Sequence, residues 1–371
     1  MLASPGPEVV GTSAEAARLS RPPLLVLERV ADFLDEHGLG SGPVRASRVG
    51  QGGGSNFSFL LERGEARYVL RRPPRPPLPP STHDVVREAR LQLALAPLGI
   101  RVPRIRAVCA DDAVLGVPFY VMDYVDGFVV TDELPPGLDR DAGMRRRLAE
   151  DLVDALVEIH AADVSVPALA ALARPGSYLE RQLRRFSALW ELNVTRPLPL
   201  VAEVGARLAR HLPEPLAPVV VHGDYRLGNM IVLPDRPAPI VAVLDWEMGA
   251  IGDPRADVGY LLATYSPPDK APSPLGTSPV TAAVGFLTRD ELAERYCQRS
   301  GRDIGPLAWF EALAFWKAAV FCEAIYGRFI RGELTADDSR AAAFEHVVPA
   351  LAEAASERLA RLRPRRHGQH G

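Results

Sequence analysis

Two short apolar runs, Val219-Val220-Val221 and Pro239-Ile240-Val241-Ala242-Val243-Leu244, flank the polar stretch His222-Gly223-Asp224-Tyr225-Arg226-Leu227-Gly228-Asn229. The second run ends on Asp245-Trp246. Apolar runs of this length read as short buried strands, so the fold must seat an acidic loop against a core. Asp224 offers a carboxylate that can receive a hydroxyl proton, Asn229 an amide oxygen, and Asp245 a carboxylate for a metal. Phosphoryl transfer asks for this set: an oriented hydroxyl, Mg²⁺ on the phosphates, and fixed charge around the moving group. A short His-x-Asp match alone would be a surface loop. The added Asn229, the strands on both sides and Asp245 weigh against that. His222 reads as a hydrogen-bonding residue that holds the loop. Arg226 either neutralises phosphate charge or anchors the loop.

A chain of 371 residues has room for about two domains. Net charge of −3 leaves no nucleic-acid footprint. Cysteines 109, 297 and 322 are odd in number and widely spaced, which suggests neither a disulfide framework nor a zinc site and fits a reducing cytoplasm. No basic region precedes an apolar stretch at the N-terminus, and no run approaches the ~18 apolar residues of a membrane span. The expectation is a cytoplasmic protein without nucleic-acid or membrane partners.

Residues 1–20 are small and polar and are expected to be flexible. A helix is expected over Leu24–Leu39, then strands at Val44–Val49, Phe57–Leu61 and Tyr68–Arg71 joined by Gly50-Gln51-Gly52-Gly53-Gly54-Ser55-Asn56 and by a turn at Arg63-Gly64-Glu65. The Pro-rich link Pro73–Pro80 excludes helix and central strand. A helix over Asp84–Leu98 carries Glu88, and strands follow near Ile105–Cys109 and Phe119–Val125. Beyond Asp126-Gly127 helical periodicity takes over, at Arg145–Ala161 and Tyr178–Leu192 among others. We therefore expect an α+β fold with a β-rich lobe over residues 21–124, a mainly helical lobe over 125–360, and a basic flexible tail over 361–371.

The glycine loop matches neither a Walker A sequence, which would end in Gly-Lys-Ser/Thr, nor the dinucleotide fingerprint, since a strand follows and Ser55 stands at the third glycine position. A Gly-rich bend between antiparallel strands can lie over phosphates and offer backbone N–H groups where no Cβ intrudes. His-x-Asp-x-x-x-x-Asn is the catalytic-loop spacing of kinases. Kinases usually place a lysine on the third strand, paired to a glutamate on the next helix. Only Lys270 and Lys317 are lysines here, and neither lies in the small lobe. Arg71 holds the strand position and Glu88 the partner position. Arginine binds phosphate bidentately and keeps its charge, so it is a credible substitute. Solvated arginines on an edge strand are the plainer alternative.

Other residues receive structural readings. Glu247 makes a salt bridge or touches a second metal or substrate. Asp253 ahead of Pro254 suits a helix N-cap, and Asp257 caps or pairs with the catalytic loop. His160 reads as a satisfied core residue, and Lys317 is expected to pair with Glu323 or Glu311. Arg181, Arg184 and Arg185 are a solvated helix face or contacts for coenzyme A.

The segments Val221-His222-Gly223-Asp224, Asn229, Val243-Leu244-Asp245-Trp246-Glu247 and Gly252-Asp253-Pro254 resemble the aminoglycoside phosphotransferase and choline kinase superfamily. Tyr68-Val69-Leu70-Arg71-Arg72-Pro73-Pro74, Pro118–Met122, His222–Arg226 and Val280–Arg289 resemble a subgroup of it, the phosphotransferase-like domains associated with acyl-CoA dehydrogenases. The resemblance spans roughly residues 25–340 and implies a bilobal protein-kinase-like fold. It also implies ATP or GTP as donor with Mg²⁺, a small-molecule hydroxyl as acceptor, and nucleotide in the cleft with Asp123, Tyr124 and Val125 near the hinge. No Ala-Pro-Glu segment follows Asp245, consistent with small-molecule rather than peptide acceptors. The arginine in place of lysine departs from the antibiotic kinases. It weakens any inherited claim of drug resistance and keeps a nucleotide-binding pseudokinase open as the alternative.

Overall fold

The computed structural model describes residues 7–50, 56–76, 83–236, 238–266, 273–333 and 341–362. The chain divides into two compact units, Met1–Asp126 and Gly127–Gly371.

In the first unit Val9–Val10 (β1) pairs in parallel with Leu25–Val26 (β2), and Ser13–Ala16 forms a short helix (α1). Regular structure thus begins at Val9, within the stretch 1–20 that the sequence marks as small and polar. The local reason is a capping box, in which Thr12 and Glu15 exchange side-chain and backbone hydrogen bonds. The Glu8 carbonyl also accepts from Leu24 and Leu25 N–H, so the helix expected from Leu24 begins only at Leu27. That helix, Leu27–Glu36 (α2), buries Val30, Phe33 and Leu34.

The strands Arg45–Val49 (β3), Phe57–Arg63 (β4) and Ala66–Arg72 (β5) precede the helix Val85–Leu95 (α3). Ile105–Cys109 (β6) and Phe119–Asp123 (β7) complete an antiparallel sheet of order β3-β4-β5-β7-β6. Alternation along β5 sends Arg71 and Arg72 to opposite faces. Arg72 is 1% exposed and donates to the carbonyls of Leu24, Pro73 and Leu115, and burial pushes its pKa down to about 10.

The second unit opens with Phe128–Val129 (β8), Ala142–His160 (α4), Pro167–Ala170 (α5), Tyr178–Asn193 (α6) and Pro199–Arg210 (α7). Val219–Val221 (β9), Met230–Val232 (β10), Ile240–Val243 (β11) and Ala250–Gly252 (β12) follow. These short strands form two antiparallel sheets, β11-β10-β8 and β12-β9. The remainder is helical: Arg255–Thr264 (α8), Arg289–Ser300 (α9), Ala308–Ile330 (α10) and Phe344–Ala360 (α11).

Helix α10 is the centre of this unit. It is apolar nearly all round, as a helix enclosed by others must be, and buries Trp309, Phe310, Phe315 and Trp316. The indole N–H groups of Trp309 and Trp316 reach the carbonyls of Leu208 and Val201 on α7, so their burial leaves no donor unpaired. Gly259 lets α8 lie against α10 so closely that a Cβ there would collide with Phe310. No helix among the described residues is long and apolar enough to cross a membrane.

Candidate active site

Pairing of β9 with β12 and of β10 with β11 fixes both ends of the polar loop. Met230 lies opposite Val243, and Leu244 N–H donates to the Asn229 carbonyl at 2.8 Å. That register brings Asn229 and Asp245 to the same end of one hairpin. Asn229 Nδ2 donates to both the carbonyl and the carboxylate of Asp224, each at 2.8 Å. The Arg226 guanidinium stands 3.5 Å from the same carboxylate. The sequence motif is therefore a single cluster: an acid held by an amide and a guanidinium.

His222 is fully buried and bridges this loop to the next. Its Nδ1 accepts from Asp224 N–H at 3.2 Å, so the proton sits on Nε2, which donates to the Leu244 carbonyl at 2.8 Å. The Trp246 ring lies 4.6 Å from the imidazole, and its N–H donates to the Val243 carbonyl. Asp245 itself has φ 64° and ψ 62°. A non-glycine residue in the left-handed region stores strain, and such strain gathers at functional positions. Gly223 also has a positive φ, +86°, and there a Cβ would stand 2.9 Å from the Met248 carbonyl oxygen.

Asp257 anchors the loop from below. Its carboxylate is completely buried and accepts from the N–H groups of His222 at 2.6 Å and Gly223 at 2.8 Å, and from His160 Nε2 at 3.2 Å. Burial alone would raise its pKa, but the hydrogen bond and charge of His160, with His222 and Gly223, hold it below the ordinary value. His160 Nδ1 in turn meets the Tyr296 hydroxyl at 2.6 Å. Asp253 is not the N-cap expected of it, since α8 starts at Arg255 with Pro254 in that position; its carboxylate accepts from Arg255 N–H at 3.0 Å and pairs with the Arg255 guanidinium.

Tyr260, one turn along α8 from Asp257, escaped the sequence reading. Burial, with the nearby charge of Asp224, pushes its pKa well above the ordinary tyrosine value. It therefore stays protonated beside that carboxylate. Only the three-residue spacing from Asp257 on one helix could have signalled it.

In the first unit, Arg71 Nε pairs with Glu88 at 3.1 Å, with the two side chains 11% and 1% exposed. The partner inferred from the strand-then-helix order is thus in place. Gly50 has φ +83°, and the Asn56 side-chain Oδ1 accepts from His83 Nδ1 at 3.1 Å. Gly52, Gly53, Gly54 and Ser55 lie outside the described residues. At the end of β7, Asp123 is engaged by Arg106 at 2.5 Å, the Arg67 guanidinium lies over the Tyr124 ring at 4.5 Å, and Val125 is half-buried.

Among the described residues no group of three or more His, Cys, Asp or Glu is placed to hold a metal ion. Asn229 and Asp245 instead supply hard oxygen donors from two residues. Mg²⁺ typically binds through one or two carboxylates plus substrate phosphates and water, so the donor set fits it.

Another expectation is corrected. Lys317 pairs with neither Glu323 nor Glu311. Glu323 is taken by Thr195 and Arg196, and Glu311 by Arg358 at 2.8 Å. Geometry favours these partners because Arg196 and Arg358 arrive from neighbouring segments, while Lys317 points to the face of α10 nearer Gly223. Arg181 is tied to the carbonyls of Arg174, Pro175 and Gly176, and Arg184 lies 3.9 Å from Glu180.

Residues 47–310 match the model of the phosphotransferase enzyme family. The chain is 32% identical to mouse acyl-CoA dehydrogenase family member 10 over 76% of its own length and 26% of that protein's. It is 33% identical to chicken acyl-CoA dehydrogenase family member 11 over 84% of its own length and 40% of that protein's. It thus spans well under half of these relatives. Among solved structures, a Ralstonia eutropha protein named as a candidate aminoglycoside phosphotransferase superposes with a TM-score of 0.75 at 27% identity, covering 91% of this chain and 99% of that one. The GDP and kanamycin complex of an aminoglycoside 2″-phosphotransferase superposes with a TM-score of 0.58 at 18% identity, covering 89% and 99%. These likenesses bear out the kinase-like α+β fold. The chain belongs to the phosphotransferase enzyme family.

Proposed function

We propose that the protein transfers the terminal phosphoryl group of ATP or GTP to a hydroxyl of a small molecule. The observation that carries this reading is the Asp224 carboxylate held at 2.8 Å by Asn229, on the hairpin that also presents Asp245. In the reaction Asp224 accepts the proton of the acceptor hydroxyl. The acceptor oxygen forms a bond to the γ-phosphorus as the bond to the bridging oxygen breaks, and the nucleoside diphosphate leaves with that electron pair. Asn229 and Arg226 fix the carboxylate's direction. Asn229 and Asp245 would hold Mg²⁺, which neutralises phosphate charge when bound. Arg71, oriented by Glu88, and the backbone from Gly50 to Asn56 are assigned to the phosphates, with Asp123, Tyr124 and Val125 at the nucleotide base.

The acceptor is either aminoglycoside-like or hydroxyacyl-CoA-like. The names of the curated relatives favour the second, and a kanamycin-bound neighbour the first. A nucleotide-binding regulator without turnover is the alternative, favoured by the arginine at position 71. Nucleotide consumption with Mg²⁺ across aminoglycosides, choline-like alcohols and hydroxyacyl-CoAs tests the proposal. Turnover with one class, lost in Asp224→Ala, is expected. Nucleotide binding without turnover under every acceptor would favour the regulator.

A further inference from the structure

The geometry points to Lys317 as the acceptor-recognition residue, whose ammonium donates to an anionic or carbonyl oxygen that the acceptor carries near its reacting hydroxyl. This rests on the phosphotransfer reading for the identity of the hydroxyl, but not for the binding it describes.

Helix α10 is apolar on almost every face, and Lys317 on it is 8% exposed. Among the described residues it makes no hydrogen bond or ion pair, and its nearest defined partner is the Phe186 ring at 4.8 Å. A buried ammonium without a hydrogen-bonding partner is strongly disfavoured, so its retention needs a use. Burial, then repulsion from Arg185, pushes its pKa down to about 8, against the weaker pull of Asp257 and Asp224. Arg185 on α6 is likewise without an ion pair among the described residues, and it adds a second positive charge beside Lys317.

Lys317 lines a recess with Tyr178, Gly223, Ala256, Tyr260 and Leu313. Its volume is about 10 Å³, room for one water-sized group. Gly223 precedes Asp224 in the chain, and both Tyr260 and Lys317 lie near enough to Asp224 to feel its charge. An oxygen seated in the recess therefore sits beside the groups that receive the hydroxyl proton. The phenols facing it, Tyr178 and Tyr260, both have pKa values raised by burial and remain donors. A recess lined by donors and an ammonium selects an oxygen acceptor. A polycation would instead meet Lys317 and Arg185 as like charges. The acceptor thus belongs with hydroxy acids and hydroxyacyl thioesters rather than with aminoglycosides.

Calorimetric binding of 3-hydroxybutyrate, 3-hydroxybutyryl-CoA and kanamycin to the full chain tests this, with phosphoryl transfer followed in parallel. At least one of the two hydroxyacyl probes is expected to bind, at least tenfold more weakly to Lys317→Met and with most of the affinity recovered in Lys317→Arg. Binding of 3-hydroxybutyrate would identify a carboxylate, and of the thioester alone a carbonyl, as the oxygen held. Affinity for the wild-type chain should fall as pH rises past about 8, a readout that needs no variant. Equal binding to Lys317→Met, no binding of either probe, or binding of kanamycin would overturn the assignment. So would a fall in kcat with KM unchanged, which would make Lys317 a tuner of Asp224 instead. Binding as expected with no phosphate transferred would sink the phosphotransfer reading and leave this one standing. Transfer to kanamycin would do the reverse.

Discussion

Helix α10 carries two buried charges, less than two turns apart, with opposite fates. Glu323 is fully buried and saturated: it accepts from Thr195 N–H and hydroxyl and from two nitrogens of Arg196. Lys317 has no such partners among the described residues. A buried charge surrounded by its own partners is part of the architecture, since removing one member strands the others. A buried charge left without them is held for something the chain itself does not supply. Asp257 belongs with Glu323, because three donors converge on it and tie the catalytic loop to α4 and α8.

Three substitutions can break that contrast. Asp257→Ala should have the largest effect on stability, roughly 3–5 kcal/mol, because it strands two loop N–H groups and His160 in a fully buried site. Chemical denaturation would measure it, and a cost under ~1 kcal/mol would remove Asp257 from the saturated class. Glu323→Ala should cost about 3 kcal/mol, at the low end of that range because Arg196 is partly exposed and can regain water.

Lys317→Met should go the other way and stabilise the protein by about 1–3 kcal/mol, since it removes an ammonium whose pKa burial has lowered from 10.5 to about 8. The sign follows from linkage. The unfolded lysine is charged below about 10.5, so the folding penalty is fully present below pH 8 and fades between pH 8 and 10.5. Melting temperatures of wild type and Lys317→Met should therefore converge across that window. A destabilised Lys317→Met at pH 7 would place Lys317 with Glu323.

The smallest effect is expected at Arg71→Lys. It keeps the charge beside Glu88 and should change nucleotide turnover only a few-fold, whereas Arg71→Met should lose it. Full activity in Arg71→Met would mean that Arg71 does not bind phosphate.

What the sequence revealed divides along similar lines. The cluster of Asp224, Asn229 and Asp245 was legible because a hairpin joins its parts, and hairpin register is a local property of strands separated by a short turn. The Arg71–Glu88 pair was legible from strand-then-helix order. His160 was readable as a satisfied core residue, but its partners Tyr296 and Asp257 lie on helices far along the chain, and nothing local names them. Tyr260 was missed for the same reason. The choice of Arg196 over Lys317 by Glu323 is set by how α10 is rotated against the Thr195–Arg196 segment, which periodicity does not specify. The short helix Ser13–Ala16 was not read because its Thr12 and Glu15 capping box is too short to register against the polar composition around it.

The central claim is that Asp224 receives the proton of a small-molecule hydroxyl. Its most direct test is nucleotide turnover with Mg²⁺ and a hydroxyl acceptor, compared between wild type and Asp224→Ala, with nucleotide affinity measured on both. We predict a loss of about 10²–10⁴-fold or more in turnover with nucleotide affinity nearly unchanged. Turnover retained in a folded Asp224→Ala protein would contradict the account.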